Sequence, residues 1–234
     1  EKVLNHQEVD RPPCICPGGM MNMVTEELMK LCEISFPDAH QNPQQMADLS
    51  EAVYKEGCFE NYGVPFCMTV EAEEFGADID MGSNIYEPHV INYNISSVSE
   101  WDKLKAIDFT KGRSSTVIDA IKILKAKNTE VPIIGNITGP ISTASSIMEP
   151  VVFYKELRKN NEKAHEYMTF ITKQITEFAI KQIEAGADII AISDPSGTGE
   201  ILGPKLFDEF AVKYINQIIA EVKKLGKRSI VHIC

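Results

Sequence analysis

The strongest constraint on the fold is the alternation of short β-rich runs with longer amphipathic helices. Strands are expected over residues 14–17, 65–70, 131–138, 188–194 and 229–234, each short, rich in apolar residues and bounded by Gly, Pro or Asp. Residues 161–185 place Ala164, Tyr167, Met168, Ile171, Ile175, Phe178, Ala179 and Ile183 on one stripe, and Gly186 offers the left-handed stop. Residues 205–225 repeat the pattern with Leu206, Phe210, Tyr214, Ile218, Val222 and Leu225, between Pro204 and Gly226. This alternation predicts an α/β fold with a mainly parallel sheet covered by helices. An open nucleotide-binding sheet would show a Gly-rich turn opening a helix after a strand. PGGMMNM after Cys16 is only a feeble version, and neither GxGxxG nor GxxxxGK[ST] occurs. A (β/α)8 TIM barrel fits better, with its chemistry at the C-terminal strand ends.

A complete barrel has eight strands and about 250 residues. Five strands are counted here, so the expectation is a single barrel domain, 1–234, covering about the first five strand–helix units. SIVHIC reaches the last residue without a turn signal, and residue 1 is Glu. Truncation at the C-terminus, by about a hundred residues on the barrel's size, is therefore expected.

With 34 Asp and Glu against 23 Lys and Arg, the net charge is −11. That balance argues against nucleic acid or an anionic membrane as the main partner. No apolar run approaches the roughly 18 residues of a spanning helix, and the N-terminus lacks a secretory pattern. A cytoplasmic location is expected. Six irregularly spaced cysteines fit reduced thiols, Cys32 and Cys58 reading as small apolar residues.

Side chains alternate across a strand. In SIVHIC, His232 and Cys234 share one face, and Val231 and Ile233 suit the helix layer. An imidazole and a thiolate so spaced can both ligate one zinc, although H-x-C is also met as a core histidine beside an apolar cysteine. In MTVEAEEFG, strand parity aims Glu71 at the mouth, as a metal neighbour or substrate contact, or leaves it a solvated acid at a helix start like Glu73 and Glu74. IIGNITGP places Asn136 and Thr138 on one parity as substrate contacts. SDPSGTG offers Asp194 as an inward carboxylate or a turn cap. His6, His40, His89 and His165 lack a spaced partner, His165 reads as solvated, and Trp101 as a packing anchor.

GNITGPIS, ADIIAISDPSGTGEILGPKLFDEF and VHIC, in that order, resemble the uroporphyrinogen decarboxylase superfamily. Within it they look most like the cobalamin-dependent methyltransferases that pass a methyl group from a methylated corrinoid to a thiol such as coenzyme M. The resemblance runs from RPPCICPGGMM to VHIC and implies a (β/α)8 barrel. The decarboxylases carry an arginine-rich loop after the first strand, whereas this chain has no Arg between Arg11 and Arg113. The methyltransferases carry an H-x-C zinc site completed by a later Cys, and His232 and Cys234 match its first half. The resemblance therefore implies zinc, methylcobalamin or a corrinoid protein as methyl donor, and a small thiol as acceptor. Zinc would ionise the thiol for attack on the methyl group, with Glu71 and Asp194 in catalytic or supporting roles. Two alternatives remain: a porphyrinogen decarboxylase, and a corrinoid-binding relative without turnover.

Overall fold

The computed structural model describes residues 2–233. Helices α1 (Glu26–Cys32), α2 (Phe36–Ala39) and α3 (Pro43–Lys55) lead into strand β1 (Tyr62–Val64). Helix α4 (Val70–Glu74), the antiparallel pair β2 (Asp78–Asp80) and β3 (His89–Asn92), and α5 (Gly112–Ala126) follow. Then come β4 (Ile133–Thr138), α6 (Pro140–Ile147), α7 (Pro150–Lys159), α8 (Asn161–Ala185) and β5 (Ile189–Ser193). The last elements are α9 (Gly199–Leu202), α10 (Pro204–Leu206), a π-helical stretch over Phe207–Val212, α11 (Lys213–Lys224) and β6 (Arg228–His232).

Strands β1, β4, β5 and β6 form one parallel sheet in that order, so each new ladder strand adds beside the preceding one. This is the winding of a (β/α)8 barrel, and the sheet is an arc of its wall. Its helix-facing side carries Ile133, Ile137, Ile190 and Ile192, packed with Ile171, Ile175 and Phe178 in the main core. The opposite side, the barrel interior, gathers Ile134, Ile189, Ala191 and Ile230 under Leu4 and Ile15.

Two expected strands are corrected. Residues 14–17 run without a ladder: Asn61 takes the Cys16 N–H (2.7 Å) and donates to the Cys16 carbonyl (2.9 Å), so a side chain replaces the neighbouring strand. The run 65–70 is not a strand either. The ladder strand lies just before it, and Pro65, with no N–H to donate, stands where pairing with β4 stops at Val64. The chain then turns into α4, whose first turn is closed by the Glu73 N–H on the Thr69 carbonyl (3.0 Å). Four ladder strands thus stand where five were expected. The β2–β3 hairpin is not legible in the sequence because DID and HVIN, three and four residues long and mostly exposed, are too short to show a period.

Helix α8 covers the span expected, ending at Gly186 with φ +121°. His165 is not free in solvent. Its Nδ1 lies 2.8 Å from the Tyr214 hydroxyl, its Nε2 lies 3.1 Å from Glu209, and its ring stacks on Phe210. Trp101 packs on Phe170 and donates to Glu166 (2.8 Å).

Gly135 on β4 lets α8 approach the sheet closely, because a Cβ there would overlap the Gln182 amide. Gln182 is fully buried and donates to the Asn136 carbonyl (3.1 Å). Gly135→Ala is expected to cost on the order of 1–3 kcal/mol, read as a lower urea midpoint at unchanged slope. An unchanged midpoint would show that α8 yields freely.

Candidate active site at the strand ends

The C-terminal ends of β4, β5 and β6 are aligned in one register row, Thr138 beside Ser193 beside His232. Ile134, Ala191 and Ile230 face the interior, so by the two-residue repeat Asn136, Thr138, Ser193 and His232 share that face. Asn136 is 1% exposed and donates to Ser193 Oγ (2.8 Å) and the Pro17 carbonyl (3.1 Å). Its Oδ1 and the Thr138 Oγ1 are buried without a hydrogen-bond partner among the described residues. Such atoms are costly unless a ligand or water meets them. The Gly18–Gly19 turn lies directly on Asn136: a Cβ on Gly18, at φ +83°, would stand 2.6 Å from the Asn136 Cβ. PGGMMNM therefore packs on the strand ends.

The carboxylates reach this rim by routes that strand parity did not give. Glu71 sits on α4, buried, and its Oε1 accepts the Thr138 N–H at 2.8 Å. Burial pushes its carboxyl up to about 7, against the lowering effect of that hydrogen bond. Asp194 is fully buried at the end of β5. Its Oδ1 accepts the Ser142 N–H (2.7 Å) and its Oδ2 the Ile141 N–H (3.2 Å), so it caps the first turn of α6. Burial raises it to about 6. A Cβ on Gly139 would overlap Asp194, which explains the glycine before Pro140.

Above these groups opens a cavity of about 620 Å³, lined among others by Met68, Thr69, Glu87, His89, Thr138 and Ser142. Its floor is the end of β4, one wall is α6, and the segment entering β3 closes another side. Glu87 and His89 were not singled out from the sequence as site residues. The only signal is a Glu-Pro-His turn in a polar stretch. Glu87 accepts from Asn22 (3.2 Å), its Oε2 is buried without a partner among the described residues, and burial lifts its carboxyl to about 7.

His232 is half-buried at the end of β6, a nitrogen donor of the kind zinc takes. Cys234 lies outside the described residues. Among the described residues, no group of three or more His, Cys, Asp or Glu is arranged to hold a metal ion.

A carboxyl raised on folding binds its proton more tightly in the native state, so its stabilising effect is full at low pH and is lost as pH rises from 4.5 to about 7. Glu71→Gln keeps an acceptor for Thr138 N–H and cannot ionise. Relative to the wild type, its stability should rise over that interval by on the order of 3 kcal/mol, measured by denaturation midpoints at several pH values. A constant difference would mean that Glu71 is not held protonated.

The whole chain, residues 1–234, matches the uroporphyrinogen decarboxylase (URO-D) family. A methylcobamide:CoM methyltransferase, MtbA of Methanosarcina acetivorans, is 33% identical over all of this chain and 68% of its own. The methylcobamide:CoM methyltransferase MtaA of Methanosarcina barkeri is 31% identical over 99% of this chain and 67% of its own. A uroporphyrinogen decarboxylase from Myxococcus xanthus is 27% identical over 67% of this chain. Among solved structures, a methyltransferase from Methanosarcina mazei superposes on the entire chain and 68% of its own, with a TM-score of 0.89 at 28% identity. With its four-strand parallel arc and a cavity at the strand ends, the chain belongs to the uroporphyrinogen decarboxylase (URO-D) family.

Proposed function

We propose that this chain is a corrinoid-dependent methyltransferase, carrying a methyl group from a methylated corrinoid to a small thiol of the coenzyme M type. The observation that carries this reading is the similarity to methylcobamide:CoM methyltransferases over the entire chain, where the decarboxylase match spans two thirds of it. The site supports it in its own terms. A porphyrinogen's several carboxylates call for guanidinium forks. The loop laid over the strand ends instead presents Met20, Met21 and Met23 to the surface, and Met20 also lines the cavity.

His232 and Cys234 are the residues we assign to zinc, which when bound would lower the acceptor thiol's pKa and hold its sulfur for transfer. The remaining work falls to the chain. Thr138 Oγ1, which lines the cavity without a partner among the described residues, is the atom we assign to substrate contact, and Asn136 holds the strand end beneath it. The Ser142 side chain extends the hydroxyl-lined wall. Glu71 and Asp194 act through the backbone: one holds the end of β4, the other the start of α6, so that the wall is set before substrate arrives. Glu87, ionising near neutrality, is placed to exchange a proton with the cavity. A corrinoid protein is the proposed donor partner. No described helix is long and apolar enough to cross a membrane, and the five described cysteines are all free, as the cytoplasm we propose would keep them.

The test is methyl transfer from methylcobalamin to a panel of thiols including coenzyme M, followed by the corrinoid absorbance with and without a zinc chelator. Zinc-dependent demethylation with one thiol is expected. His232→Ala is expected to lower the rate at least a hundredfold, on the order of the loss from removing a metal ligand or its support. Zinc-containing protein that turns over no thiol would overturn the proposal.

A further inference from the structure

One cluster of buried polar groups takes no part in the scheme above. Cys67 lies three residues after β1 and is 1% exposed. Its sulfur accepts from Arg113 Nη1 at 3.2 Å and from Thr69 Oγ1 at 3.5 Å. Arg113, in the first turn of α5 and 5% exposed, also donates through Nη2 to Thr69 Oγ1 (2.9 Å) and through Nε to Glu73. His40 is 1% exposed between Phe36 and Phe66, and neither of its ring nitrogens has a hydrogen-bond partner among the described residues.

The sulfur is used as an acceptor from both donors. A neutral thiol accepts weakly and needs an outlet for its own proton, whereas a thiolate is an acceptor alone and offers the buried guanidinium a second anion beside Glu73. We infer that Cys67 is an ionised, buried thiolate that positions the cavity wall, holding Arg113 and through it both Thr69, which lines the cavity, and Glu73, which anchors α4. Burial alone pushes the thiol up, but the neighbouring His40, the Arg113 guanidinium and the Thr69 hydroxyl more than reverse this, bringing it to about 5. The titratable and charged groups that face it are the Arg113 guanidinium, the His40 imidazole and the carboxyl groups of Glu73, Glu71 and Glu87. A thiol lowered on folding contributes stability that is full above its unfolded value of 9 and is lost as pH falls through 5. At 1% exposure the sulfur does not meet substrate, so Cys67 is a positioning residue.

The decisive experiment follows cysteine ¹³Cβ signals of the zinc-free protein by NMR from pH 4 to 8. One cysteine should titrate near 5, and Cys67→Ser should remove that signal and no other. If Cys67→Ser does not fold, single replacements of the other five cysteines should each leave the signal in place. No cysteine titrating below 7, or a signal removed by one of those other replacements, would overturn the inference. The kinetic arm rests on the methyltransferase proposal. There, Cys67→Ser should raise KM for the thiol about tenfold and leave kcat within about twofold, with Cys67→Asp, which restores the anion, recovering part of the loss. A wild type without turnover would refute the methyltransferase reading and leave the NMR result to judge Cys67 by itself.

Discussion

The end of β4 is gripped by two buried carboxyl groups, and the site depends on that grip. Glu71 reaches from α4 to the Thr138 N–H, and Asp194 reaches from the end of β5 to the Ile141 and Ser142 N–H groups. Four elements meet within a few residues, and three backbone donors that would otherwise be orphaned are satisfied. The glycine between the two grips is required by space, since a side chain on Gly139 would collide with Asp194. The strand end and the helix start are thereby fixed relative to each other, and Thr138 Oγ1 is left to face the cavity without a partner.

Burial of so many ionisable groups at one rim sets their charge states. Glu71, Glu87 and Asp194 are all raised by desolvation toward neutrality, so each can hold a proton in the range where a soluble enzyme works. Beneath Thr69 the trend reverses. There the guanidinium of Arg113 and the imidazole of His40 favour the ionised form of Cys67. The cavity wall therefore combines apolar side chains with the hydroxyls of Thr69, Thr138 and Ser142 and the single carboxyl of Glu87, while Glu71, Asp194 and the Cys67–Arg113 pair support it from behind. Such an arrangement suits a reaction that needs a thiol oriented and deprotonated away from bulk water.

Much of this was legible from sequence where periodicity spoke clearly. The α8 stripe, the runs leading to Asn136, Asp194 and His232, and the parallel winding all follow from apolar spacing and glycine stops. The expected strand began three residues after the start of β1 because apolar character continues from Tyr62 through VPFCMTV, and only the pairing partner decides where the ladder ends. Glu71 was located at the correct rim by the wrong geometry: a one-residue shift decides strand parity, but a helix brought the carboxyl there instead. The Cys67–Arg113–His40 cluster joins residues 27 and 46 positions away from Cys67, and no local pattern marks a contact of that range. Asp194 read in the sequence as an inward carboxylate or a cap of its own turn, whereas its side chain bonds to the start of α6, more than fifty residues earlier.

We propose that zinc held by His232 and Cys234 activates the acceptor thiol at the strand ends. Zinc K-edge X-ray absorption on the zinc-loaded protein, before and after addition of the thiol acceptor, tests it most directly. The account predicts one additional sulfur at about 2.3 Å once the acceptor is present. An unchanged sulfur count, in protein that still transfers methyl groups, would contradict it.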